Sequence, residues 1–320
     1  MKSGKKVFIF TEAVLAVLVL LVIVLMLREN KEQEMPKISV LIQNSEDEQW
    51  AAFRYGLRMA AIDNQCELFI VSTGEDMTLE EQIRMAENEI ESGGNALIIQ
   101  PLAGEDATER LKKIEKRAPI VYVEETPEKG SNAKVLVELD NYDMGVTLAE
   151  EVIKDYDGNM TGKTIGIVGG EKDSVSFQRR EEGFRHTIEE AGGRMIWGLC
   201  RNERGEITPE KQPEADIVAA LDDDSLTKAG AAASVRKLHG AVVYGIGRST
   251  EAIYYLDTGA AECVIVSDEF NTGYRSLTVA AKKAGVRIHK SQEKPISYTV
   301  LRRDTLFSEE NQEILFTMSQ

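Results

Sequence analysis

The stretch that decides the fold is residues 37–71, KISVLIQNSEDEQWAAFRYGLRMAAIDNQCELFIV. The apolar, β-branched run at 38–42 predicts a strand, and a second run at 68–71 predicts another. Between them lies a predicted helix over 48–64, in which apolar residues recur at helical spacing: Trp50, Phe53, Leu57, Ala60 and Ala61. A strand, a helix and a strand in succession are typical of a parallel sheet with helices packed on its faces.

The same alternation continues outward from this unit. Further strands are predicted at 96–99, 119–123, 135–137, 165–168, 195–199, 217–220, 241–244 and 264–266. Helices are predicted at 78–91, 107–117, 141–154, 177–190, 226–237, 250–256 and 274–284. Thr78, with Glu81 three residues later, fits a capping box at one helix start. Two successive units of similar size predict an α/β fold of two doubly wound parallel-sheet lobes, with a ligand crevice at the carboxyl ends of the strands.

Length, charge and cysteine content narrow the class of protein. The 320 residues suffice for about two domains. The net charge of −16 disfavours nucleic acid as a partner, because a phosphate backbone repels such a chain. The three cysteines, Cys66, Cys200 and Cys263, form no CxxC pair and are interpreted as buried thiols. The alternative is that two of them form one disulfide in an oxidising compartment.

The N-terminal segment predicts a membrane anchor. Lys2, Lys5 and Lys6 precede a run from 7 to 27 that is apolar except for Thr11 and Glu12. At ~1.5 Å per residue this run spans roughly 31 Å, which matches a hydrocarbon core of about 30 Å. The lysines favour a cytoplasmic N-terminus at 1–6, a tether at 28–36 and an extracytoplasmic domain at 37–320. The competing interpretation is a cleaved signal peptide, but 13–27 is uninterrupted and no A-x-A site follows.

Four dispersed motifs resemble those of the type I periplasmic binding proteins, the ribose- and galactose-binding kind that share the lactose-repressor core fold. They are Asp140-Asn141-Tyr142-x-x-Gly145, Arg179-Arg180-x-x-Gly183-Phe184, Tyr244-Gly245-Ile246-Gly247 with Gly259, and Val266-Ser267-Asp268-x-x-Asn271-x-Gly273-Tyr274. The resemblance implies a first lobe at about 37–139 and 268–297 and a second at about 140–267 and 298–320. A three-strand hinge would join the lobes and let them close on a solute.

The resemblance also implies which residues line the cleft. The expected ligand-binding residues are Asp47, Gln49, Trp50, Gln100, Glu124, Glu125, Gln178, Arg180, Asp222, Asp223 and Asp268. Carboxylates and amides pair with vicinal hydroxyls, and an aromatic face covers the apolar side of a sugar ring, so this set suits a carbohydrate-like ligand. Local alternatives remain: Trp50 as a core residue, the acids at 222–224 as helix caps, and Arg180 paired with Glu181 or Glu182 at the surface.

Three departures from the family pattern bear on the ligand and the fold. Glu124-Glu125 stands where the family has an Asp-Arg pair, and Gly247 stands where it has an acid. The stretch 201–213 is shorter than the family's helix-bearing segment, which predicts one fewer covering helix. Relative to the family pattern, the sequence therefore indicates a cleft that has lost a cation and gained acids. We expect a ligand other than a plain pentose, one that carries a positive charge or arrives with a cation.

Motifs for catalysis, metal binding and nucleotide binding do not fit the sequence. Gly162-Lys163-Thr164 lacks the earlier glycine of a phosphate loop, where Asp157 stands, and it precedes a strand. His186, His239 and His289 match no metal spacing, and no G-x-S-x-G occurs. We therefore expect no enzyme, cofactor, metal or nucleic acid. The expected function is solute binding for an ABC-type importer with a membrane permease as partner, and the alternative is ligand sensing with a membrane histidine kinase.

Overall fold

A computed structural model of the chain describes residues 12, 14–22, 35–104, 106–125, 139–170, 172, 174–201, 205–288 and 296–319. It separates two compact units, Met1–Met35 and Pro36–Gln320. In the first unit, residues 14–22 are helical, and their apolar side chains are exposed. No helix within the described ranges has the length and apolar character needed to cross a membrane. The rest of the predicted anchor at 7–27 lies outside those ranges.

The second unit begins with a four-stranded parallel sheet in the order β2-β1-β3-β4. Its strands are β1 (Lys37–Leu41), β2 (Glu67–Ile70), β3 (Gly94–Ile99) and β4 (Ile120–Tyr122). The helices that alternate with them are α1 (Ala51–Asn64), α2 (Leu79–Glu91) and α3 (Ala107–Glu115). The predicted capping box is confirmed, because the Thr78 side chain accepts from the Glu81 backbone N–H while the Glu81 carboxylate accepts from that of Thr78.

A second, six-stranded sheet follows in the order β10-β9-β8-β7-β5-β6. Its strands are β5 (Thr164–Val168), β6 (Arg194–Leu199), β7 (Ile217–Ala220), β8 (Val242–Ile246), β9 (Cys263–Ser267) and β10 (Tyr298–Arg302). Its helices are α4 (Asn141–Asp155), α5 (Val175–Glu190), α6 (Asp223–Ser234) and α7 (Thr250–Asp257). The parallel α/β architecture is confirmed, with one addition: β10 pairs antiparallel with β9 at the sheet edge.

The chain crosses between the two sheets more than once. Helix α8 (Glu269–Lys283) follows β9 of the second sheet but packs against α1 of the first. Strand β10 then returns to the second sheet. We call the first sheet with α1–α3 and α8 the first lobe, and the second sheet with α4–α7 the second lobe. The predicted strand at 135–137 falls outside the described residues.

Two helices begin three or more residues earlier than their apolar spacing predicted, and in both cases an aspartate sets the start. Helix α8 was predicted from 274 but begins at 269, because the Asp268 side chain accepts from the Asn271 backbone N–H. Helix α6 was predicted from 226 but begins at 223, because Asp222 caps it through the Ser225 N–H. Polar first turns lack apolar periodicity, so the caps define these starts better than the hydrophobic pattern does.

Each lobe contains one pair of helices whose backbones touch at glycine. A Cβ on Gly56 of α1 would lie 2.0 Å from the carbonyl oxygen of Phe270, and one on Gly145 of α4 would lie 2.1 Å from that of Arg180. Gly273 and Gly183 face their partner helices in the same way. The glycines of the sequence motifs therefore allow close helix packing, which fixes the helices that begin at the cleft.

The stretch between β6 and β7 contains, in its described part, one 3₁₀ turn, Pro209–Lys211. Trp197 of β6 packs against the second-lobe core, and its ring occupies the space that a side chain at Gly166 would need. Its indole N–H donates to the carbonyl of Pro213 at 2.9 Å. The described part of this stretch therefore contains no α-helix.

The three cysteines, all within described residues, form no disulfide. Cys66 and Cys263 are buried, whereas Cys200 is half-buried. Burial raises the pKa of the Cys66 thiol and raises that of Cys263 to about 12. The expectation of buried thiols therefore holds for Cys66 and Cys263 but not fully for Cys200.

Candidate functional site

Arg248, which follows β8 in the second lobe, reaches across the cleft to the first lobe. Its guanidinium carbon lies 4.3 Å from the centroid of the Trp50 ring. One terminal nitrogen pairs with Glu124 and lies 3.3 Å from a carboxylate oxygen of Glu269, and the other donates to Gln49 Oε1 at 3.0 Å. Only 15% of the Arg248 side chain is exposed. A single guanidinium therefore joins an aromatic face, two carboxylates and an amide.

Trp50 is both a core residue and the floor of this site. It is 1% exposed and packs edge-on against Phe53, with ring centroids 5.4 Å apart. Its indole N–H donates to the Gln43 carbonyl at 3.0 Å. The preceding 3₁₀ turn is started by Asp47, whose carboxylate accepts from the Gln49 N–H at 3.0 Å. The two interpretations open for Trp50 are thus compatible.

Glu124 is held in place from its backbone and from its side chain. Its φ of +60° lies in the left-handed region, which is uncommon for a residue with a side chain and is concentrated at functional sites. Gln100 donates from Nε2 to Glu124 Oε2 at 3.0 Å and accepts the Gln43 N–H at 3.0 Å. The residues that follow β3 and β4 therefore form one network beneath Arg248.

Arg180 provides a second cation, on the second-lobe side of the site. Its Nε donates to Asn141 Oδ1 at 2.7 Å, and Nη1 donates to the Leu221 carbonyl at 3.0 Å. Burial lowers the pKa of Arg180, and three nearby acids act in the opposite direction: Asp222, Glu125 and Glu269. The surface pairing considered for this residue is made by its neighbours instead, Arg179 with Glu182 and Arg185 with Glu181.

Glu125 connects the lobes at the start of α5. Its carboxylate accepts from the Ser174 hydroxyl at 2.6 Å and from the Val175 N–H at 3.0 Å. The Ser176 hydroxyl donates to the carbonyl of Glu124 at 2.6 Å. A carboxylate at a helix N-terminus is favoured by the unpaired N–H groups there, so Glu125 stabilises contact between the lobes.

The two aspartates after β7 organise the second lobe. Asp222 caps α6 and accepts the Gly170 N–H at 2.5 Å. Asp223 accepts the backbone N–H groups of Arg248 and Ser249 at 2.6 and 2.8 Å. Burial raises the pKa of Asp223 to about 6. The buried carboxyl of Asp223 therefore anchors the loop that carries Arg248.

Three of the predicted ligand-binding residues make local contacts within the chain. Asp47 caps the 3₁₀ turn, and Asp268 caps α8 while accepting the Asn271 amide at 2.5 Å. Gln178 donates to the Lys172 carbonyl at 2.8 Å. The other predicted positions lie around Arg248 and Arg180.

Sequence reasoning missed Arg248 and Glu269. Glu269 is 3% exposed; its Oε1 accepts from the Ser267 hydroxyl at 2.5 Å, and its Oε2 has no hydrogen-bond partner among the described residues. Arg248 directly follows Gly247, and Glu269 directly follows Asp268, and the family resemblance marked both preceding positions. Considering the next residue in each loop would have identified both. The inference that the cleft had lost its cation is corrected, because Arg248 supplies one from the opposite lobe.

The arrangement suits binding by stacking and hydrogen bonding. Within the described ranges, no group of three or more His, Cys, Asp or Glu side chains comes together as a metal site. The aromatic face of Trp50 and the carboxylates and amides around it are the groups that hold polar rings in proteins.

Comparison with known proteins agrees with this geometry. A family model described as a periplasmic binding protein domain matches residues 38–286. No curated protein sequence matches the chain.

Solved structures of low sequence identity share the fold. GanP, a glucose-galactose binding protein from Geobacillus stearothermophilus, has a TM-score of 0.71 at 18% identity, covering 86% of this chain and 99% of its own. An ABC transporter solute binding protein from Bacillus halodurans C-125, with bound myo-inositol, has 0.72 at 20%, covering 89% and 100%. XylFII in the XylFII-LytSN complex has 0.69 at 16%, covering 84% and 98%. On the evidence of the family match, which spans both lobes, the chain belongs to the periplasmic binding protein family.

Proposed function

We propose that this protein binds a small polar, carbohydrate-like solute between its two lobes and presents that solute on the outer side of the cytoplasmic membrane. The observation that carries the proposal is the Trp50 ring of the first lobe, which lies against Arg248 of the second lobe, whose guanidinium also contacts Gln49 and Glu124. Gln49, Gln100 and Glu124 come from the first lobe, and Arg180 and Arg248 come from the second. Closure on a solute would bring both sets to the same molecule.

The solute class follows from the chemistry of these groups. Amides and carboxylates bind the vicinal hydroxyls of a polyol in pairs, and a tryptophan face covers the apolar side of its ring. Fold neighbours were solved with D-arabinose, D-allose and myo-inositol, and these are properties of those proteins. They support a sugar or a related polyol as the first class to test.

Attachment to the membrane is supported by the N-terminal segment. Three lysines precede the apolar run at 7–27, and the helical residues 14–22 expose apolar side chains. Exposed apolar surface of this kind is stabilised when it is transferred into lipid. The full chain should stay with membranes after an alkaline carbonate wash, whereas a chain lacking residues 1–34 should be released. Release of the full chain by the wash would refute the anchor.

Delivery to an ABC-type permease is the role we propose for the bound solute. A tether would keep the receptor beside one membrane partner at high effective concentration. The alternative is a sensory role beside a membrane histidine kinase. The solved XylFII-LytSN complex supports this alternative, because a fold neighbour there assembles with a named partner. Affinity purification of the full chain from detergent-solubilised membranes distinguishes them, since recovery of a permease supports import and recovery of a kinase supports sensing.

Solute binding is tested by thermal unfolding in the presence of a panel of sugars, polyols and amino sugars. A solute at ~100 times its dissociation constant adds roughly 2.7 kcal/mol to the free energy of unfolding. We expect at least one panel member to raise the melting temperature of the wild type and to lose that effect in Trp50→Leu. No shift with any panel member would remove the support for a solute receptor.

A further inference from the structure

The groups that surround the head of Arg248 form a cation-binding subsite. The guanidinium lies over the Trp50 ring at 4.3 Å, and aromatic faces attract cations. Glu124 and Glu269 supply two carboxylates, and Gln49 supplies an amide oxygen, so every polar partner is an acceptor. Charge-assisted hydrogen bonds to carboxylates are among the strongest that side chains make.

Arg248 does not use this subsite fully. Glu269 is 3% exposed, and its Oε2 has no hydrogen-bond partner in the described part of the chain. The contact from Arg248 to the other oxygen of Glu269 is 3.3 Å long. The backbone N–H of Arg248 donates to Asp223 at 2.6 Å, and this hydrogen bond limits how far the side chain can shift toward Glu269. A buried acceptor without a donor is costly, so the subsite has room for a better-placed donor.

We propose that the cation subsite of Trp50, Gln49, Glu124 and Glu269 takes the ammonium or guanidinium group of a polar solute, and that Arg248 is an internal occupant which this solute displaces. This inference rests on the proposed function and specifies its ligand class. A neutral solute that displaced Arg248 would leave two carboxylates unpaired in a closed cleft, which is unfavourable. A cationic solute keeps both of them paired.

Displacement has a measurable consequence for affinity. A solute that binds only when Arg248 has withdrawn has its apparent dissociation constant raised by the inverse of the fraction of molecules in that state. Replacing Arg248 by a side chain of similar length without charge removes this competition. The gain should be larger for cationic solutes than for neutral ones, since only cationic solutes restore the pairing of Glu124 and Glu269.

Isothermal titration with glucosamine and glucose tests the proposal, because these sugars differ by one ammonium group. The full chain in detergent would be compared as wild type, Arg248→Met and Arg248→Lys. We expect Arg248→Met to bind glucosamine at least about tenfold more tightly than the wild type, with a clearly smaller gain for glucose. Arg248→Lys keeps a positive charge but replaces the planar guanidinium by an ammonium group, so its gain in glucosamine affinity should be smaller. It also provides a second variant if Arg248→Met folds poorly.

The matched control is Arg201→Met, which removes another arginine that joins the lobes. Arg201 lies 2.8 Å from Asp224 and 3.4 Å from Glu75, and these ion pairs do not involve the cation subsite. It should leave the preference between the two sugars unchanged. A further change, Glu269→Gln in the Arg248→Met background, should reverse the glucosamine gain.

Two results would overturn the inference. One is a folded Arg248→Met or Arg248→Lys protein that binds glucosamine no more tightly than the wild type. The other is an equal gain for glucose, which would show that Arg248 merely blocks the cleft sterically. If neutral sugars bind the wild type and either result is obtained, only this inference fails; if no sugar of either charge binds any variant, the proposed function fails with it.

Discussion

The buried carboxyl of Asp223 predicts a specific dependence of stability on pH. Its oxygen accepts the N–H groups of Arg248 and Ser249, so it fixes the loop at the cleft. Burial raises its pKa from 3.8 to about 6, although these hydrogen bonds act in the opposite direction. The folded protein therefore holds this proton more tightly than the unfolded chain does.

The sign and the size of the effect follow from this difference. Between pH 3.8 and about pH 6, the folded state binds more protons at this group, so the free energy of unfolding falls as pH rises. At about 1.36 kcal/mol for each pH unit, the contribution of Asp223 falls by about 3 kcal/mol across this window and is constant above it. Asp223→Asn keeps an oxygen that accepts both N–H groups and removes the titration. The free energy of unfolding of the variant, minus that of the wild type, should therefore rise by about 3 kcal/mol from pH 3.8 to about pH 6.

Urea unfolding of the full chain in mild detergent, followed by circular dichroism at several pH values from 4 to 7.5, measures this difference. Asp216→Asn is the control, because hydrogen bonds from Thr164 lower the pKa of the exposed Asp216 and its titration lies below the window. Above pH 4, the free energy of unfolding of Asp216→Asn should change with pH in the same way as that of the wild type. If Asp223→Asn also runs parallel, Asp223 is ionised in the folded state throughout, and the argument from burial is wrong.

The remaining predictions concern the core, the helix contacts and the thiols. Trp50→Ala should lower the free energy of unfolding by about 3–5 kcal/mol, measured by urea unfolding, because it leaves a cavity beside Phe53. Gly145→Ala should lower it by at least about 1–3 kcal/mol in the same assay, because its Cβ would lie 2.1 Å from the Arg180 carbonyl; Gly198→Ala, with no atom within 4 Å, should change it little. Maleimide should label Cys200 in the folded protein and label Cys66 and Cys263 only after unfolding, since burial raises the pKa of both buried thiols.

The fold was predictable because most of its strands are buried on both faces and its helices are amphipathic. The run at 38–42 predicted a strand that the structure places at Lys37–Leu41, and the apolar spacing from Trp50 to Ala61 predicted helix α1. Strand β10 was not predicted because its continuous apolar run is limited to Val300 and Leu301, and of its residues only Leu301 is fully buried.

The site was less predictable because its central contact joins distant parts of the chain. Arg248 and Glu124 are 124 positions apart, and the closure of two lobes brings them together. Local pattern identifies which loops follow the strands, but it does not show which side chain crosses the gap. It also does not separate a capping aspartate such as Asp268 from the adjacent Glu269, because both are acids at the start of one helix.

The position of the cation on the lobe opposite its acids changes what closure does. When an arginine and its carboxylate lie on one lobe, their pairing is the same whether the cleft is open or closed. Arg248 and Glu124 lie on different lobes, so their pairing contributes only to the closed state. A solute that enters between them must compensate for the lost pairing before it gains affinity, and its differential affinity for the two states sets how far it shifts the equilibrium. The ligand of this chain must therefore replace an ion pair between the lobes, whereas the ligand of a cleft filled only by solvent need not do so. For this reason we expect charge, as well as shape, to determine what the protein binds.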